Sequence, residues 1–274
     1  MHYLDPISQP DLPSPPFTVE PQPIDDGKNA VVDLIDVVLL LVVAFVAYIF
    51  CGGLAGAIFL LAHRAQGLTA HDLGKALEHN VLFLISTQLV IYLIVVGFMS
   101  FLAWARHKTA LAQAIRWNVP GRRQAVYALL GGAGLALVSD LAQAMLHRWI
   151  PKSLPIEELF RDRSSALLLA AFGILIAPLV EELLFRGFLY PALARWTGVF
   201  PAVVITATGF ALLHGTQLAY SWAPLLLIFT VGVVLTVTRA VTKSVATCVL
   251  LHMAYNFTLL LQGYLVTHGF RDMT

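Results

Sequence analysis

From Val37 to Ala62 the chain carries no formally charged residue. As a helix rising about 1.5 Å per residue, that stretch is long enough to cross the ~30 Å hydrocarbon layer of a bilayer. It recurs in kind along the chain. A second span is expected at about Val81–Trp104, and a third at about Gln124–Leu146 with Asp140 near its far end. A fourth opens near Ser165 and closes between Pro191 and Arg195. From Trp196 to Thr238 there is again no formal charge, too long for one crossing. The Gly, Pro and aromatic residues of His214–Pro224 divide it into spans at about 200–217 and 223–238. A seventh runs from about Ser244 to Val266.

Composition agrees: 58% of the 274 residues are hydrophobic and 12% charged, where a soluble domain has about 25% charged. The fold class expected is all-α, a polytopic membrane bundle of about seven transmembrane helices with a polar site in the C-terminal four. A net charge of +1 excludes a nucleic-acid role, which needs a basic face. Cys51 and Cys248 lie in apolar runs and read as small core residues, with no disulfide framework or zinc-ligand spacing. Residues 1–30 hold seven of the fourteen prolines and are expected to form a disordered tail, with no signal-peptide pattern. Residues 31–274 then form one transmembrane domain. With seven crossings, the N-terminal side collects ten Lys/Arg and the other side seven, which favours a cytoplasmic N-terminus.

The fourth span carries Ile176-Ala-Pro-Leu-Val-Glu-Glu-Leu-Leu-Phe-Arg-Gly-Phe-Leu-Tyr-Pro191. Ionisable groups at membrane depth are expensive and read by default as a functional site. Glu182 and Arg186 are one helical turn apart and can pair. Glu181, rotated by about 100°, is left to face elsewhere. Two further i,i+4 pairs follow, Phe210 with His214 and His252 with Asn256. Counted at 1.5 Å per residue from span ends on one membrane face, Glu181 and His252 lie roughly 13–15 Å deep and His214 roughly 20 Å. Their convergence would make a polar pocket in lipid. A carboxylate there can take a proton from water, and an imidazole can orient that water or bind a metal. An imidazole with an amide can donate to a developing oxyanion. These are the parts of an acyl-bond hydrolase with water as nucleophile. Phe210 reads as packing, Asn256 as oxyanion donor or interhelical glue, and Asp140 as an interfacial residue or a site residue.

Glu-Glu-x-x-x-Arg at 181–186, Phe-x-x-x-His at 210–214 and His-x-x-x-Asn at 252–256, in that order, resemble the CPBP intramembrane proteases. That group takes in type II CAAX prenyl endopeptidases and bacterial Abi, or bacteriocin-processing, proteins. The resemblance covers about residues 165–260. It implies that Glu181 is the general base and His214 its partner on water or on a metal. It implies that His252 and Asn256 form the oxyanion side, and that Glu182, Arg186 and Phe210 shape the site. The cofactor it implies is one divalent metal such as zinc, held by Glu181, His214 and His252, or none. No His-Glu-x-x-His motif insists on zinc. The substrate implied is a membrane-associated peptide or lipidated protein, prenylated CAAX-type or leader-type. The setting implied is a bacterial inner membrane, with membrane lipid the other partner. One departure is visible: Thr242-Lys243-Ser244 stands where relatives commonly have Thr-Gly-Ser.

Two other functions fit a polar membrane bundle. One is a proton-coupled transporter using Glu181 and the histidines as a relay, although the internal repeat common in carriers is not evident. The other is a non-catalytic immunity or scaffold protein of the same fold. The intact set Glu181, His214, His252 and Asn256 argues against it.

Overall fold

The structure is a computed structural model and describes residues 30–63, 77, 80–160 and 162–271. The proline-rich tail expected at 1–30 lies, but for its last residue, outside the described residues. Among the described residues every regular element is helical, and the fold is an all-α polytopic bundle. Seven long helices compose it: α1 Leu34–His63, α2 Val81–His107, α3 Arg122–Leu146, α4 Arg163–Thr197, α5 Val199–Leu213, α6 Trp222–Thr242 and α7 Val245–Val266. Six are long and apolar enough to cross a membrane. The exception is α5, whose 15 residues span about 22 Å at 1.5 Å per residue. Span five was expected to reach residue 217. It stops at Leu213 because Gly215 turns the chain back, so closely that a Cβ there would run into the Tyr220 ring.

The helix ends carry local stop and start signals. Asn80 caps α2 by accepting the Phe83 N–H at 3.0 Å. Asp162 does the same for Ser165 at 2.9 Å, and the hydrogen bonds from the Ser165 side chain and backbone hold its pKa below the usual carboxylate value. Ser244 caps α7 through the Thr247 N–H at 3.1 Å. Lys243 ends α6 in the left-handed region, with φ 55°. A side chain in that conformation costs about 1–2 kcal/mol.

The loops sort to two ends, as alternate crossings require. At one end Asp33 and Asp36, at the start of α1, meet Arg106 and His107, at the end of α2. Arg116 and Asn118 meet Lys243–Val245 there. At the other end Ile156 donates to Gln217, Trp149 and Trp222 rings meet at 5.8 Å, and Phe160 meets Phe270. Gly52 and Gly56 of α1 form no close packing seam among the described residues, since a Cβ at either would meet nothing within 4 Å. The close approach is instead between α3 and α7. A Cβ on Gly132 would strike the Leu251 carbonyl and come within 2.9 Å of the Tyr255 nitrogen. That contact presses α7 in at the level of His252.

Candidate active site

The site is built on α4, and α4 is not a regular helix. It widens twice into π-turns, at Phe172–Ile176 and at Leu183–Leu189. Glu181 and Glu182 lie between them. Each π-turn stops just short of a proline, Pro178 or Pro191. Proline lacks an N–H, and its ring crowds the carbonyl four residues back. A widened turn relieves the clash, but it leaves one carbonyl without a donor. In the first turn Ala177 donates to Phe172 O, so the next bond in that register would run from residue 178 to Gly173 O. In the second Tyr190 donates to Phe185 O, so the next would run from residue 191 to Arg186 O. Neither proline can make it.

Side chains from other helices fill both gaps. Asn256 of α7 donates through Nδ2 to Gly173 O at 2.7 Å. Arg239 of α6 donates through Nε to Arg186 O at 3.1 Å. Arg239 is 1% exposed. It was not among the expected site residues. The available signal was its spacing, one turn beyond Thr236 on the face of α6 that meets Arg186.

Around these sits a buried ionic network. Glu182 and Arg186 are wholly buried and paired at 2.9 Å. Arg186 also donates to Gly232 O at 2.8 Å and to Thr236 Oγ1 at 3.3 Å. Gly232 lets α6 approach α5 closely, since a Cβ there would press on Ala207 at 3.1–3.3 Å. His252 donates through Nδ1 to Glu182 Oε1 at 2.8 Å, because an ionised carboxylate only accepts. Its Nε2 is left facing Glu181 Oε2 at 3.9 Å, too far for a direct bond. Glu182 Oε2 has no protein partner. Glu181 differs from its neighbour: its side chain is 20% exposed against 0% for Glu182. His214 ends α5 and donates through Nδ1 to Phe210 O at 2.9 Å, which leaves Nε2 as an acceptor. Phe210 is the common neighbour of the set. Its ring lies 4.9 Å from that of His214 and 5.7 Å from that of His252, with the Arg186 guanidinium 4.7 Å away.

The structure therefore gathers Glu181, Glu182, Arg186, Phe210, His214, His252 and Asn256 around α4. Asp140 lies apart, on α3. It does not gather Glu181, His214 and His252 into a metal-holding group, and no three His, Cys, Asp or Glu side chains form one among the described residues. The arrangement offers a half-open carboxylate, an accepting imidazole nitrogen, a second imidazole fixed by a buried carboxylate, and an amide with one hydrogen engaged.

A buried catalytic-type constellation inside a helical membrane bundle defines the class, an integral membrane protein with a polar intramembrane site. Residues 163–258 match the family model described as type II CAAX prenyl endopeptidase Rce1-like, and over this segment the chain is similar to that family. The matched segment contains every site residue described above. The family is one of proteases. No curated protein and no solved structure gives a significant match to the chain.

Proposed function

We propose that the protein is an intramembrane endopeptidase of glutamate type, cutting a peptide bond of a membrane-associated substrate, prenylated CAAX-type or leader-type. The catalytic core is residues 165–260 of a single transmembrane domain. The observation that carries this reading is the contrast between the two adjacent carboxylates. Glu182 is sealed into an ion pair, while Glu181 is partly open and faces an imidazole across a 3.9 Å gap.

In this mechanism Glu181 and His214 Nε2 hold a water between them. Glu181 takes its proton as the oxygen attacks the scissile carbonyl carbon. Charge develops on the carbonyl oxygen, which the second amide hydrogen of Asn256, and His252 when protonated on Nε2, stabilise. Glu181 then passes the proton to the leaving amine. Glu182 acts through His252, fixing its ring orientation. The Lys and Arg count favours a cytoplasmic N-terminus, and the setting proposed is a bacterial inner membrane.

The test compares purified wild type with Glu181→Ala on farnesylated and plain peptides, with and without chelator. Cleavage by the wild type, lost at least a hundredfold in Glu181→Ala and insensitive to chelator, is the expected result. Equal rates for both proteins would remove the role given to Glu181. Loss of activity with chelator would replace the glutamate mechanism with a metal-dependent one.

A further inference from the structure

We propose that Tyr92 of α2, one turn after Gln88, is a substrate-positioning residue of this site, its phenolic hydroxyl hydrogen-bonding the backbone of the incoming peptide. The inference rests on the endopeptidase reading and deepens it. Residues 88 and 92 lie outside the matched segment 163–258.

The Tyr92 ring stacks on Phe172 with centroids 5.9 Å apart and planes 11° from parallel. Phe172 opens the first π-turn and precedes Gly173, the residue whose carbonyl Asn256 holds. The stack therefore fixes the phenol relative to the oxyanion side. Tyr92 also lies within reach of the Glu181 charge, with Gln88 its neighbour one helical turn earlier. Both α2 residues are half-buried, as is Glu181.

The chemistry suits a peptide backbone. A substrate entering hydrocarbon loses the water on its N–H and C=O groups, and each unpaired group costs several kcal/mol. A phenol can donate and accept, and an amide offers two donors and an acceptor. Between them Tyr92 and Gln88 offer both donors and acceptors. They can pair with an extended strand of any sequence laid against Glu181.

Steady-state cleavage of a farnesylated peptide by wild type, Tyr92→Phe and Gln88→Met tests this, with Tm measured on each. Tyr92→Phe keeps the ring stack and removes one hydroxyl. KM should rise about tenfold with kcat within twofold and Tm unchanged, the pattern of a lost binding contact. Gln88→Met should raise KM less, about threefold. Unchanged KM in Tyr92→Phe, beside an active wild type, would overturn the proposal and leave the endopeptidase reading standing. A fall in kcat or Tm at constant KM would make Tyr92 a packing residue and overturn it equally. A wild type that cleaves nothing would remove both.

Discussion

The two π-turns of α4 solve the same local problem with different materials. In each, a proline deprives one carbonyl of its donor, and a side chain from another helix replaces it. At the first turn the replacement is a neutral amide, Asn256, half-buried and on the open side of the site. At the second it is a fully buried arginine, Arg239, beside an ion pair that is itself sealed. Neutral interhelical hydrogen bonds in membranes are weak, averaging about 0.6 kcal/mol. Buried charged networks are costly to disrupt, since removing one partner strands the other. The first turn is therefore an adjustable edge of the site, and the second is its rigid base. Glu181 and Glu182 sit between them and divide in the same way, one partly open and one closed.

The largest effect should come from the rigid base. Arg186→Met leaves Glu182 buried with only His252 as partner and strips donors from Gly232 O and Thr236. A loss of about 3–5 kcal/mol is expected, read as a lowered unfolding midpoint in detergent. A loss below 1 kcal/mol would mean that the pair is not a structural keystone. Next is Arg239→Met, which returns Arg186 O to its unpaired state. The expected cost is about 1.5–3 kcal/mol, the range for hydrogen bonds to charged groups. If Arg239→Met proves no more costly than Asn256→Leu, the contrast between the two turns collapses.

Much of this was legible in the chain. Charge-free runs gave the spans, and i,i+4 spacing gave the Glu182–Arg186 pair and the separate facing of Glu181. What was not legible follows from assuming one helical period. A count at 3.6 residues per turn contains no π-turn, although Pro178 and Pro191 were in plain view. Without the π-turns there is no orphan carbonyl at Gly173 or Arg186, and so no reason to bury Arg239 or to aim Asn256 at the backbone. The reading of Asn256 as either oxyanion donor or interhelical glue left open a third arrangement, in which one hydrogen holds a carbonyl and the other remains available. Tyr92 was invisible for another reason. Its relation to Glu181 is set by the packing of α2 on α4, and nothing in the sequence around residue 92 marks it.

The smallest effect tests the comparison most directly. Asn256→Leu should cost about 0.6–1.7 kcal/mol of stability. Pro178→Ala restores an N–H that can donate to Gly173 O, while giving up a few tenths of a kcal/mol to about 1 kcal/mol of chain restriction in the unfolded state. In the Pro178→Ala background the loss of Asn256 should therefore be nearly free, a coupling of about 0.6 kcal/mol or more in a double-mutant cycle. The matching cycle at the second turn, Pro191→Ala with Arg239→Met, should show no comparable rescue, because an added N–H replaces a hydrogen bond but not a buried charge. Rescue at both turns would make Arg239 a mere donor like Asn256. Rescue at neither would mean that the missing proline N–H is not what these side chains replace.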